Sequence, residues 1–170
     1  MDLRRYIRDV PDFPKRGIVF KDITPLLQSP GAFRSAVDEL AGRFRDHRVS
    51  RVIGIESRGY IFAPAVALSL DAGFVPVRKP GKLPRETVAE EYSLEYGTDR
   101  LEVHADALAA GDRVLIVDDL LATGGTAAAA RRLAERLGAE VVAAGFVVEL
   151  EFLEGRSRLR DLEVVSLVQY

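Results

Sequence analysis

Cysteine is absent from this 170-residue chain, and histidine is limited to His47 and His104. Disulfides, thiolate zinc sites and thiol nucleophiles are thereby excluded, and a histidine-rich metal centre is excluded with them. Long apolar runs are missing as well. The stretch Ile61 to Leu70 is too short to span a bilayer and contains Pro64, so no membrane partner is expected. Neither sign of charge dominates: 24 Lys and Arg stand against 26 Asp and Glu, for a formal charge of −2. A general nucleic-acid binder carries a basic excess, so no nucleic-acid partner is expected either. The opening Met-Asp-Leu-Arg-Arg-Tyr lacks the apolar core of a secretory signal, and the expectation is a cytoplasmic protein. An apolar fraction of 48% over this length is enough for one domain, residues 1–170, with a substantial core.

Strand and helix patterns alternate through most of the chain. Phe33, Ala36, Val37, Leu40, Ala41 and Phe44 recur at spacings of three and four, the period of an amphipathic helix. Arg51 to Ile55 and Phe74 to Val77 read as short strands. Ile61 to Leu70 reads as a buried helix, with Pro64 acceptable in its first turn. Val114 to Val117, Val141 to Val148 and Val164 to Val168 are rich in β-branched residues and read as strands. A helix is expected over Thr126 to Leu137, stopped by Gly138. Strands separated by helices imply an α/β fold, a mainly parallel twisted sheet flanked by helices, with ligands at the carboxyl ends of the strands. Two stretches break the rhythm. Residues 11–30 contain Pro11, Pro14, Pro25 and Pro30 and read as an irregular flap. Residues 79–100 are polar and charged, as befits a lid or binding loop. Glu151 to Asp161 reads as a solvated helix, and Glu149 and Leu150 before it are candidates to approach the ligand site.

The densest chemical signal is Val114-Leu115-Ile116-Val117-Asp118-Asp119-Leu120-Leu121-Ala122-Thr123-Gly124-Gly125-Thr126. Apolar residues run into twin carboxylates, then into a loop of small residues, then into a helix. Converging amides and a helix N-terminus hold phosphate well. The acids can accept hydrogen bonds from sugar hydroxyls or bind a hard metal ion. The competing reading is an ordinary tight turn with a cap, but adjacent acids at a strand end repel one another unless a ligand compensates them. No Walker loop is present.

This run resembles the phosphoribosyl-diphosphate (PRPP) motif of the type I phosphoribosyltransferases. Three further stretches are similar to the adenine-specific branch of that family: Phe13 to Pro25, Glu56-Ser57-Arg58-Gly59-Tyr60, and the pair Arg78 to Pro84 with Tyr92-Ser93-Leu94-Glu95-Tyr96-Gly97. The resemblance extends from about residue 11 to Tyr170. It departs mildly at Tyr60, where many relatives have Phe. It implies the type I phosphoribosyltransferase fold with a small N-terminal flap, or hood, a homodimer, and transfer of phosphoribosyl from PRPP to adenine with Mg2+.

Site roles follow from the same resemblance. Ala122, Thr123, Gly124, Gly125 and Thr126 would hold the 5′-phosphate. Asp118 and Asp119 would face the ribose hydroxyls, directly or through Mg2+ and water. Ser57, Arg58, Lys79 and Lys82 would hold the diphosphate, with a cis peptide between Glu56 and Ser57. Val19 and Phe20 would sandwich the adenine ring, with backbone groups of Val19 and Lys21 reading its edge; the alternative is that Val19 and Phe20 are core residues. Ala122 stands where relatives acting on 6-oxopurines carry Asp, which favours adenine. Glu95 is the candidate acid/base residue, to be weighed against a place among the solvated acids Glu86, Glu90 and Glu91. Two other functions stay open: transfer to a different base such as xanthine or a pyrimidine, and non-enzymatic sensing of PRPP.

Overall fold

The computed structural model describes residues 1–94 and 97–170. A 3-10 turn (Leu3–Tyr6) leads into an antiparallel hairpin of β1 (Arg8–Pro11) and β2 (Val19–Asp22), followed by a short helix α1 (Thr24–Gln28). The segment expected to be irregular thus holds one strand and one short helix, while residues 12–18 lie in no strand or helix. Its prolines sit where they are tolerated: Pro11 ends β1, and Pro25 lies in the first turn of α1.

Helix α2 (Pro30–Arg43) starts at Ser29, whose Oγ accepts the amide of Ala32 at 3.4 Å, with Pro30 at the first helical position. Its apolar stripe buries Ala36, Leu40 and Ala41, and Phe44 follows fully buried. Strand β3 (Arg51–Ile55), helix α3 (Gly59–Ser69) and strand β4 (Gly73–Val77) form the next unit. Because α3 starts two residues before the apolar run, Pro64 lies inside the helix rather than in its first turn. Much of the expected lid forms two antiparallel paired strands, β5 (Thr87–Leu94) and β6 (Gly97–His104), termed the β5–β6 hairpin. Strand β7 (Arg113–Leu121), helix α4 (Gly125–Arg136), strand β8 (Glu140–Glu149) and strand β9 (Glu163–Gln169) complete the chain. The segment expected as a solvated helix folds instead as two 3-10 turns, Glu151–Leu153 and Gly155–Leu159, with Gly155 and Leu159 buried.

The main sheet has five strands in the order β4-β3-β7-β8-β9, all parallel. Both faces are apolar, as a parallel sheet covered on two sides requires. Val114 and Ile116 of β7 pack with α4 and the β5–β6 hairpin, while Leu115 and Val117 pack with α2 and α3. Gly54 allows α3 to approach β3, since a Cβ there would lie 2.7 Å from that of Ala63. No described helix is long and apolar enough to cross a membrane.

Candidate active site

Register explains where the cleft opens. Strand β3 pairs with β7 only as far as Gly54 against Val117, whereas β8 stays paired with β7 out to Leu121 against Glu149. The twin acids therefore lie within β7, on a stretch flanked by a strand on one side only. The expected end of the strand at Val117 is corrected accordingly. The gap left by β3 is a cleft of about 340 Å³ at the carboxyl edge of the sheet. Its walls include Glu56, Ser57 and Arg58, then Lys79 and Tyr92, and the run Asp118 to Ala127.

One wall is the loop of residues 122–126, the candidate phosphate loop. Gly124 adopts φ +77° and serves as the N-cap of α4 without any side-chain cap bond. The first amides of that helix are thus not consumed by a capping oxygen, and the positive helix end faces the cleft. Ala122, Thr123, Gly124, Gly125 and Thr126 all line the cleft.

The acids form the floor. Asp119 is 4% exposed and meets the Arg58 guanidinium at 3.2 Å. Asp118 accepts the amide of Asp119 at 2.9 Å. Removal from water pushes the Asp118 carboxyl well above the usual range, and the neighbouring Asp119 charge pushes it further. Burial also raises Asp119, against the opposing pull of Arg58. Asp118 needs a glycine beside it: a Cβ at Gly59 would stand 2.8 Å from its Oδ1. Among the described residues no group of three acids or histidines surrounds one point. Two hard oxygen donors nevertheless suit a cation that keeps several waters and takes its remaining ligands from a phosphorylated substrate.

The opposite wall carries the cations. The Glu56–Ser57 peptide is cis, as the resemblance implied, and Phe13–Pro14 is cis as well. Glu56 was not assigned a role from sequence, yet it organises this wall. Its carboxylate accepts Lys82 Nζ at 2.7 Å, the Lys79 amide at 3.1 Å, and Arg78 Nε and Nη2 at 3.3 Å. The Lys82 hydrogen bond is the main reason its pKa falls from 4.5 to about 2; burial opposes the shift. Lys79 lines the cleft and bonds Asp99 and the Tyr92 hydroxyl, both on the β5–β6 hairpin. Burial pushes the Lys79 ammonium down, but these two partners outweigh it and its pKa rises. Lys82 does not line the cleft itself and reaches it through Glu56. Tyr92 and Asp99 were also missed, because their partner Lys79 is remote in sequence.

The hood supplies the remaining residues. Val19 is 47% exposed, so it is not a core residue. Phe20 stacks edge-on against Phe13 at 5.1 Å and lies 5.5 Å from the Arg58 guanidinium. This contact brings the hairpin to the cleft. The Lys21 side chain points elsewhere, pairing with Asp9 at 2.7 Å and lying 3.8 Å over the Tyr170 ring. Glu149 does not line the cleft; it is buried and paired with Arg156. His47 contacts Glu163 at 2.8 Å, and His104 closes β6, both away from the cleft. Tyr60 gains a bond from its hydroxyl, which donates to the Val77 carbonyl at 3.0 Å. Glu95 and Tyr96 lie outside the described residues.

Comparison with known proteins agrees with this geometry. The phosphoribosyl transferase domain family matches residues 26–167. An adenine phosphoribosyltransferase of Solibacter usitatus is 60% identical, over 99% of this chain and 98% of its own. One from Carboxydothermus hydrogenoformans is 58% identical over the full length of both. Among solved structures, the adenine phosphoribosyltransferase of Thermoanaerobacter pseudethanolicus superposes with a TM-score of 0.96 at 49% identity, covering 99% of this chain and 98% of the other. The Saccharomyces cerevisiae enzyme, crystallised with an imino-altritol bisphosphate and adenine, gives 0.92 at 44% identity, covering 98% and 96%. The chain therefore belongs to the phosphoribosyltransferase family and, within it, to the adenine phosphoribosyltransferases.

Proposed function

We propose that this cleft transfers the 5-phosphoribosyl group of PRPP to N9 of adenine, releasing AMP and diphosphate. The observation that carries the proposal is the pairing of an uncapped helix N-terminus with twin acids, Asp119 buried and Asp118 half-buried, across a cleft from a cationic wall. That arrangement matches a pentose bearing a phosphate at one end and a diphosphate at the other.

Binding comes first. The amides of residues 122–126 take the 5′-phosphate, and Asp118 and Asp119 orient the ribose hydroxyls. Arg58 and Lys79 face the diphosphate, with amides near Ser57, and Lys82 adds its charge from behind Glu56. As the bond from C1′ to diphosphate lengthens, positive charge builds on the sugar ring and negative charge on the leaving group. Fixed cations stabilise the second, which is electrostatic catalysis. Mg2+ would be held by Asp118 and Asp119, through water, and would add charge neutralisation of the diphosphate. Adenine, placed by Val19 and Phe20 with the backbone of Lys21 at its edge, presents N9 to C1′ at close range. Glu95, on the lid, handles the proton on the purine. Closure of the 79–100 segment excludes water that would otherwise hydrolyse PRPP. The homodimer implied by the resemblance and the cytoplasmic location expected from the sequence belong to the same proposal.

A base panel with PRPP and Mg2+ tests it. AMP should form from adenine, with kcat/KM for hypoxanthine, guanine, xanthine and uracil lower by at least about a hundredfold, roughly 2.7 kcal/mol of discrimination. Comparable rates with hypoxanthine would overturn the choice of base, and no product with any base would leave a PRPP sensor. In Glu95→Gln, an unchanged kcat would remove Glu95 from the mechanism.

A further inference from the structure

The turn after β8 packs on residues 121–125, and its closest approach to that loop is between two glycines. A Cβ on Gly124 would lie 2.3 Å from the carbonyl oxygen of Gly155, and a Cβ on Gly155 would lie 2.3 Å from that of Ala122. Backbone therefore rests directly on backbone, and neither side has room for a methyl group. Gly155 is buried although its neighbours Glu154 and Arg156 are exposed.

A charged clamp fixes this turn. Glu149, at the end of β8, is 3% exposed. It receives Nε and Nη2 of Arg156 at 2.7 Å each, a two-point pairing of fixed geometry. Gln169 donates to the same carboxylate at 3.2 Å, and Arg156 Nη1 donates to the Val164 carbonyl at 2.8 Å. Glu149 is also the β8 residue opposite Leu121, the last residue of β7 before the phosphate loop. The clamp thus ties the end of β8, paired there with the end of β7, to the turn that backs the loop.

We propose that Glu149, Arg156 and Gly155 are positioning residues for the 5′-phosphate: the ion pair seats Gly155, and Gly155 holds the 122–125 backbone in the shape whose amides converge on the phosphate. This rests on the reading of residues 122–126 as the phosphate site, and it deepens that reading by adding a segment that does not line the cleft. None of the three residues touches the substrate. Their effect should appear in ligands that carry the 5′-phosphate and be absent from those that do not.

Two variants separate this from a general structural role. Arg156→Lys keeps the charge but loses the two-point geometry, and Gly155→Ala inserts the forbidden methyl. Calorimetry with ribose 5-phosphate and with diphosphate reads the two ends of the cleft separately, and steady-state rates give KM for PRPP and for adenine. The expected result for Arg156→Lys is a tenfold or greater loss of ribose 5-phosphate affinity and a similar rise in KM for PRPP. Diphosphate affinity and KM for adenine should stay within twofold. Gly155→Ala should exceed that loss; if it does not fold, Arg156→Lys carries the test alone. Unchanged ribose 5-phosphate affinity in folded Arg156→Lys would overturn the proposal, as would equal losses for both ligands. A wild-type protein that binds ribose 5-phosphate but makes no AMP would defeat the proposed transfer reaction and leave this inference to be decided by binding alone.

Discussion

The carboxyl of Asp118 is held above its ordinary range by burial and by the charge of Asp119, so at neutral pH its ionised form costs the fold free energy. A neutral amide of the same shape keeps the oxygen that accepts the Asp119 amide and removes that cost. Asp118→Asn should therefore raise the melting temperature without ligand by ~2–4 °C, about 1 kcal/mol for a chain of this size. It should also lower kcat/KM at least tenfold, because the ribose hydroxyls lose an acceptor. A fall in melting temperature, measured by calorimetry, would contradict the account. Glu56 runs the opposite way. Its pKa is depressed to about 2, so the fold prefers its charged form. That stability is fully present above pH 4.5 and is lost as pH falls toward 2. Glu56→Gln should cost about 1 kcal/mol at neutral pH, because water screens the half-exposed Lys82 that dominates the shift. The difference from wild type should close across the acid window. A gap independent of pH would show that the Lys82, Lys79 and Arg78 contacts carry no net charge preference.

At the scale of elements, the turn from β7 into α4 is the most constrained piece of the chain. Gly124→Ala would place a side chain at φ +77° against the Gly155 carbonyl. The left-handed backbone alone costs ~1–2 kcal/mol, and the collision adds to it. A loss of more than about 2 kcal/mol in denaturant unfolding is expected; near wild-type stability would mean that the two backbones can move apart. The strands of the parallel sheet were readable because both of their faces are apolar, which leaves runs of Val, Ile and Leu in the sequence. The β5–β6 hairpin was not readable. Its Glu90 pairs with Arg132 and Arg136 of α4, so charges that look solvated in sequence are satisfied by a distant helix. The same holds for Glu151 to Asp161, where the acid and arginine spacing suggested a helix. Burial of Gly155 against the phosphate loop imposes two short turns instead. The phosphate loop and twin acids were legible because they are contiguous. Glu56, Tyr92 and Asp99 were not, because each acts on a partner at least 13 residues away in sequence.

The whole molecule arranges these pieces through one topological fact: β3 stops while β7 continues. The cleft lies in that step at the carboxyl edge of the sheet, where α/β folds bind ligands. The hood reaches it through Phe20 and Arg58, and the β5–β6 hairpin reaches it through Lys79 and Tyr92. Sedimentation equilibrium should give twice the 18.7 kDa chain mass; a concentration-independent single-chain mass would reject the homodimer. The most direct measurement is the structure of this protein crystallised with PRPP and Mg2+. The account predicts the 5′-phosphate on the amides of residues 122–126, the ribose hydroxyls at Asp118 and Asp119, and the diphosphate toward Ser57 and Arg58. A sugar bound in the reverse sense, or bound anywhere else, would contradict it.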